Sequence, residues 1–131
     1  MALVPSPTTL QTIECYTTSI ITGGAPLTDF HTGSIAYIPA HNCITEIEIQ
    51  RRNATLLDPS GQNISVGIAG NMLTVSTNLL NSANWVGVLN INRLAPNVNT
   101  NLMILSSASN ITSGSLYVVV KYKPITTGNR K

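Results

Sequence analysis

Carboxylates, histidines and cysteines are the side chains that could do chemistry here, and they are few. The acids are Glu14, Asp29, Glu46, Glu48 and Asp58. Glu46 and Glu48 are two residues apart, so a strand projects both from one face, as an acid–base pair would require. Their run ends in Arg51 and Arg52, and a polar face of that kind reads more simply as solvated or interfacial. Asp29, His31 and Ser34 are close in sequence, but a catalytic triad is a matter of geometry, not of neighbouring positions. No Gly-x-Ser-x-Gly elbow accompanies them. His41 and Cys43, with His31 ten residues earlier, lack the tight repeated spacing of a structural zinc site. The Gly67-Ile68-Ala69-Gly70 stretch has no following lysine, so it is no phosphate loop. Sequons begin at Asn53, Asn63 and Asn110, as chance allows in a chain this rich in Asn and Thr. The residues therefore predict no enzyme, no metal and no cofactor.

The elements that carry these side chains read as strands. Residues 115–123 are the clearest: Leu116, Val118, Val120 and Tyr122 alternate with Tyr117, Val119, Lys121 and Lys123, between Gly114 and Pro124. Residues 44–51 place Thr45, Ile47 and Ile49 on one face and Glu46, Glu48 and Gln50 on the other, which predicts one buried and one wet or partner-facing surface. Residues 64–68 alternate Ile64, Val66 and Ile68 with smaller residues. Further strands are expected at 11–21, 33–38, 71–75, 86–91 and 102–105. Residues 25–32 are expected to be a loop, as is the region around Pro96, and 58–61 a proline–glycine turn. Leu79 and Leu80 could start a helical turn, but no stretch keeps a 3.6-residue period over ten residues. About eight short strands predict an all-β, two-sheet antiparallel sandwich, jelly-roll-like, with an inward set of Ile47, Ile49, Ile64, Val66, Ile68, Leu116, Val118 and Val120.

Length and composition bound the partners. The 131 residues suit one sandwich domain at 11–124, with an extended N-terminal arm at 1–10 and a flexible basic tail at 125–131. Only 9% of residues are charged, against about 25% in ordinary soluble domains. A chain that omits surface charge suits a protein covered by copies of itself, and we expect a homo-oligomer. The net charge of +2 and scattered basic residues argue against nucleic-acid binding. No apolar run reaches the roughly 20 residues of a membrane helix, and the N-terminus lacks the pattern of a signal peptide. The arm carries Pro5 and Pro7 and no charge, so Leu3, Val4, Pro5, Pro7 and Leu10 are expected to contact a neighbouring subunit or a shell. Cys15 and Cys43 are expected to be free and buried.

Three blocks in order carry a resemblance. They are Ile38-Pro39-Ala40 leading to Ile44-Thr45-Glu46-Ile47-Glu48-Ile49, then Ile64-Ser65-Val66-Gly67, then Leu116-Tyr117-Val118-Val119-Val120-Lys121-Tyr122. Together they resemble the small β-sandwich structural proteins of tailed phages and other large double-stranded DNA viruses. Ile68 and Ala69 stand where such proteins carry an acidic residue. The resemblance implies a non-enzymatic virion protein, made in the host cytoplasm: a capsid cement or decoration subunit, commonly a trimer, bound to the major capsid protein lattice. The alternative it leaves open is a receptor- or carbohydrate-binding module of a head or tail fibre, which would need exposed aromatic rings.

Overall fold

A computed structural model describes residues 10–17, 20–52, 55–83, 85–87 and 97–124. The arm up to residue 9, the tail at 125–131, Asn53, and the parts of the expected elements at 18–19 and 88–96 lie outside these residues. The strands are β1 (Gln11–Thr17), β2 (Ala25–Pro26), β3 (Thr28–Asp29), β4 (Tyr37–Ile38), β5 (Asn42–Arg52), β6 (Asn63–Ile68), β7 (Asn71–Ser76), β8 (Trp85–Val86), β9 (Thr100–Asn101), β10 (Met103–Ser106) and β11 (Ser115–Pro124), with one helix, α1 (Thr77–Ala83). They form an antiparallel sandwich. One sheet runs β3-β1-β11-β5-β8, the other β2-β10-β6-β7, and β4 pairs with β9 in a short ribbon.

β11 is the spine of the larger sheet. Its β-branched run pairs with the whole of β1, from Gln11 opposite Tyr122 to Thr17 opposite Leu116. Its other edge pairs with β5 from Arg52 to Asn42. The expected inward set is buried: Ile47, Ile49, Ile64, Val66, Leu116, Val118 and Val120 at 0% exposure and Ile68 at 2%. Thr45 departs from the expected alternation. Lys121 faces Glu46 and Tyr122 faces Ile44, so Thr45 is the extra residue of a bulge. Its hydroxyl donates to the Lys121 carbonyl instead, and Ile44 enters the core in its place.

Residues 25–32 are not merely a loop. Ala25–Pro26 edges the smaller sheet and Thr28–Asp29 edges the larger one, with fully buried Leu27 at the crossing between them. The crossing is satisfied by a ring of backbone bonds. Leu27 N donates to Leu102 O, Leu102 N to Ala36 O, and Ala36 N to Leu27 O, at 2.9–3.0 Å. Residues 77–83 are a short helix capped by Ser76, whose Oγ accepts from Leu79 N. Leu80 is buried, while Leu79 faces solvent. Gly67 allows the β6–β7 hairpin to close, because a Cβ there would strike the Asn71 carbonyl.

Among the described residues, the buried hydrophobic side chains are aliphatic apart from the Cys15 and Cys43 thiols. Each buried methylene contributes about 0.8 kcal/mol, and a charge in this layer would find no partner. Val118 lies opposite Cys15 on one side and Ile49 on the other. Val118→Asp is therefore expected to cost several kcal/mol and abolish the cooperative thermal transition. A variant that still melts cooperatively near the wild-type temperature would contradict this packing.

Candidate interaction face

Residues directly opposite in an antiparallel ladder share a face. On the outer face of the larger sheet, β1, β11, β5 and β8 contribute one row: Tyr16, Tyr117, Gln50 and Trp85. Phe30, just past β3, packs edge-on against Tyr16 and Tyr117 at 5.8 and 5.9 Å between centroids. Arg52, two residues from Gln50 and so on the same face, holds its guanidinium 5.8 Å from the Tyr16 ring and 5.6 Å from Phe30. Phe30 and Trp85 are each 46% exposed. The next rows are polar. Glu14 lies opposite Val119, which in turn lies opposite Glu48, and Thr12 lies opposite Lys121, which in turn lies opposite Glu46.

Each carboxylate on this face has a bonding partner within the chain. His31 Nε2 donates to Glu14 Oε1 at 2.6 Å. This bond, with one from Tyr117, holds the Glu14 carboxyl below the usual glutamate range. Burial, reinforced by Glu14, pushes the Tyr117 hydroxyl up. Lys121 Nζ lies 3.6 Å from Glu46 and 3.9 Å from Glu48. The hydrogen bond between the two glutamates raises Glu46, and Lys121 opposes that only in part.

The sequence candidates take structural positions. Glu46 and Glu48 do share a face, where they bracket a lysine. Asp29 Oδ1 accepts from His31 N and Thr32 N, closing its own turn, while the His31 ring turns to Glu14; no relay to Ser34 forms. His41 is exposed at a positive φ of 65° and Cys43 is buried. Among the described residues, no three acidic, His or Cys side chains gather as a metal cage. Cys15 and Cys43 are free and buried, and burial pushes the Cys15 thiol up to about 12. Asn110 turns its Oδ1 back to accept from Thr22 N. The Ala69–Gly70 pair is the β6–β7 hairpin turn. Of the arm residues, Leu10 is 47% exposed at the head of β1; Leu3, Val4, Pro5 and Pro7 lie outside the described residues.

The aromatic row was not apparent as a site in the sequence. The alternation of β11 and β1 does assign Tyr117 and Tyr16 to outer faces, but Phe30 joins them only through tertiary packing. A concavity of about 460 Å³ opens beside β1, lined by Ile13, Ile35, Tyr37 and Tyr122 and by the polar Thr12, Asp29, Thr32 and Ser34 among others. Ile35 and Tyr37 are about half exposed there. Burial, and then Tyr37, raises the Tyr122 hydroxyl.

No protein-family model matches the chain. No curated protein sequence matches it either. The fold is similar to that of solved structures. A chain of the cyanophage Pam1 capsid asymmetric unit superposes with a TM-score of 0.62 at 16% identity, over 95% of this chain and 94% of that one. A chain of the acidic stable capsid structure of Helicobacter pylori bacteriophage KHP30 gives 0.58 at 11% identity, over 87% and 86%.

The two ends of the outer face should titrate in opposite senses. Glu14, depressed, favours the folded state above the usual glutamate value, and this is lost as pH falls through its lowered one. Glu46, raised, favours folding below the usual value, and this fades as pH rises through its higher one. Side-chain carboxyl titration by NMR should place Glu14 lowest of the pair. His31→Ala should bring Glu14 upward, and Lys121→Met should push Glu46 further up. The reverse order would refute the assigned bonds.

Proposed function

We propose that the chain is a non-enzymatic structural protein of a phage virion, a capsid cement or decoration subunit that assembles as a homotrimer on the major capsid protein lattice. The observation that carries this is whole-chain likeness: the superposition with the Pam1 capsid chain spans nearly all of both chains, not one shared motif. Strand order supports it. Counting β1, β2, β5, β6, β7, β8, β10 and β11 as first to eighth, the sheets run first-eighth-third-sixth and second-seventh-fourth-fifth, which we read as a jelly roll.

The outer face supplies the means. Tyr, Trp and Arg dominate the strongest contacts of protein interfaces, because they bury large area with few rotors and a polar handle. Here they form one row on a rigid sheet. Neighbouring charges are paired within the chain, so covering the row strands no lone carboxylate. In this reading the row meets the shell, and the bound subunit ties neighbouring capsid proteins together.

The exposed row also favours a second reading, a carbohydrate-binding module of a fibre. Arg52 lies over the Tyr16 and Phe30 rings that a sugar would stack on, which leaves Trp85 the open ring and makes this reading the weaker one.

The test is binding of purified chain to capsids stripped of it. Wild-type chain is expected to occupy regular lattice positions by cryo-electron microscopy and to raise the temperature of shell rupture. Trp85→Ala and Arg52→Ala should fold normally yet each weaken binding by about thirtyfold, as truncation of an interface anchor worth about 2 kcal/mol does. A chain that is monomeric by native mass and absent from particles overturns the proposal. Binding to a glycan array with no binding to capsids selects the fibre reading.

A further inference from the structure

The groove beside β1 has an unused edge. β1 pairs with β11 along its whole length, but with β3 only at Cys15 and Tyr16. Phe30 N extends that contact to the Glu14 carbonyl. Among the described residues, no strand pairs with residues 11–13 on that side. The groove opens at this edge, and its volume lies within the range of binding pockets. Its wall holds Ile13, Ile35, Tyr37 and Tyr122, with Ile35 51% and Tyr37 45% exposed, and the polar Thr12, Asp29, Thr32 and Ser34 line it beside them. Apolar side chains beside an open strand edge suit an extended apolar segment, whose backbone joins the edge while alternate side chains fill the wall.

The chain carries such a segment, and it ends at this place. Residues 1–9 read Met-Ala-Leu-Val-Pro-Ser-Pro-Thr-Thr, without charge, and lead into Leu10 and Gln11. Gln11 lies opposite Tyr122, itself a wall of the groove. Reaching its own groove would require this segment to reverse direction. Val4 and Ser6 each precede a proline, which biases them away from the helical dihedrals of a tight turn, so the segment favours an extended course. Extended, nine residues span about 30 Å, enough to cross to an adjoining domain. We infer that Leu3, Val4 and Pro5 of one copy seat in the groove beside β1 of a second copy. This rests on the self-assembly part of the function proposed above and names its contact. Each copy gives one arm and receives one; a head-to-tail ring that closes, such as a trimer, satisfies this, as an exchange between two copies would. The two prolines lower the entropy lost when the arm docks.

Single cysteines test the pairing in the full-length protein. Chain bearing Leu3→Cys is mixed with chain bearing Tyr37→Cys, refolded together and mildly oxidised; Cys15 and Cys43 are buried and do not compete. The expected result is a mixed disulfide dimer on a non-reducing gel. Adding Ile35→Asp to the recipient should reduce that dimer at least tenfold, with the recipient's melting temperature unchanged because Ile35 is exposed. No mixed dimer overturns the inference. So does a Leu3→Cys, Tyr37→Cys double variant that cross-links only within one chain. The assay uses purified protein without particles, so it fails separately from the shell reading: cross-linked rings that never decorate capsids sink the shell role alone.

Discussion

The thin aliphatic layer between the two sheets sets the terms for everything else. Packed sheets stand about 10 Å apart, and here that space is filled by Ile, Leu, Val and small residues. The chain has four tyrosines, one phenylalanine and one tryptophan, and none is in the buried core. Aliphatic side chains interdigitate at this spacing without the polar handle that a buried Tyr or Trp must satisfy. The aromatic residues are therefore outside, in the row on the larger sheet or on the wall of the groove. The core's chemistry thus fixes where the aromatic rings lie.

The scarcity of charge has a cause within the fold. Uncharged polar side chains hold the loops by bonding to backbone. Asn81 bonds both N and O of Leu57, pinning that segment to α1. Gln62 Oε1 accepts from Ala108 N and Ser109 N, and Thr77 bonds Gln62 in turn. Asn99 accepts from Ala40 N, and the Ser106 hydroxyl donates to Ser109 O. These bonds do not weaken with ionic strength as exposed ion pairs do. The Asn, Thr and Ser excess is thus partly internal scaffolding.

The long strands were legible because one face of each is dry. Period-two alternation in β5, β6 and β11 named the inward set correctly. It failed where tertiary structure overrides the pattern. At Thr45 a bulge exchanges Thr45 for Ile44. At 25–29, two-residue strands are too short to show a period, and only their pairing makes them strands. The helix at 77–83 is too short for a 3.6-residue rhythm. Phe30 could not be joined to Tyr16 and Tyr117 from sequence, because nothing local brings a residue of the β3 turn beside β11. Resemblance and fold likeness meet at the same architecture, though the quoted motifs are short.

Because the final strand lies between β1 and β5, the larger sheet cannot be assembled in the order of synthesis. Gln11 finds its partner only when Tyr122 has left the ribosome, and such distant pairing makes folding slow. Until then β1 and β5 each lack the neighbour that joins them in one sheet. A chain interrupted before residue 115 forms no intact outer face and no Tyr122 wall. The same arrangement that delays folding therefore makes both the aromatic row and the groove wall wait for β11, the strand that lies between β1 and β5.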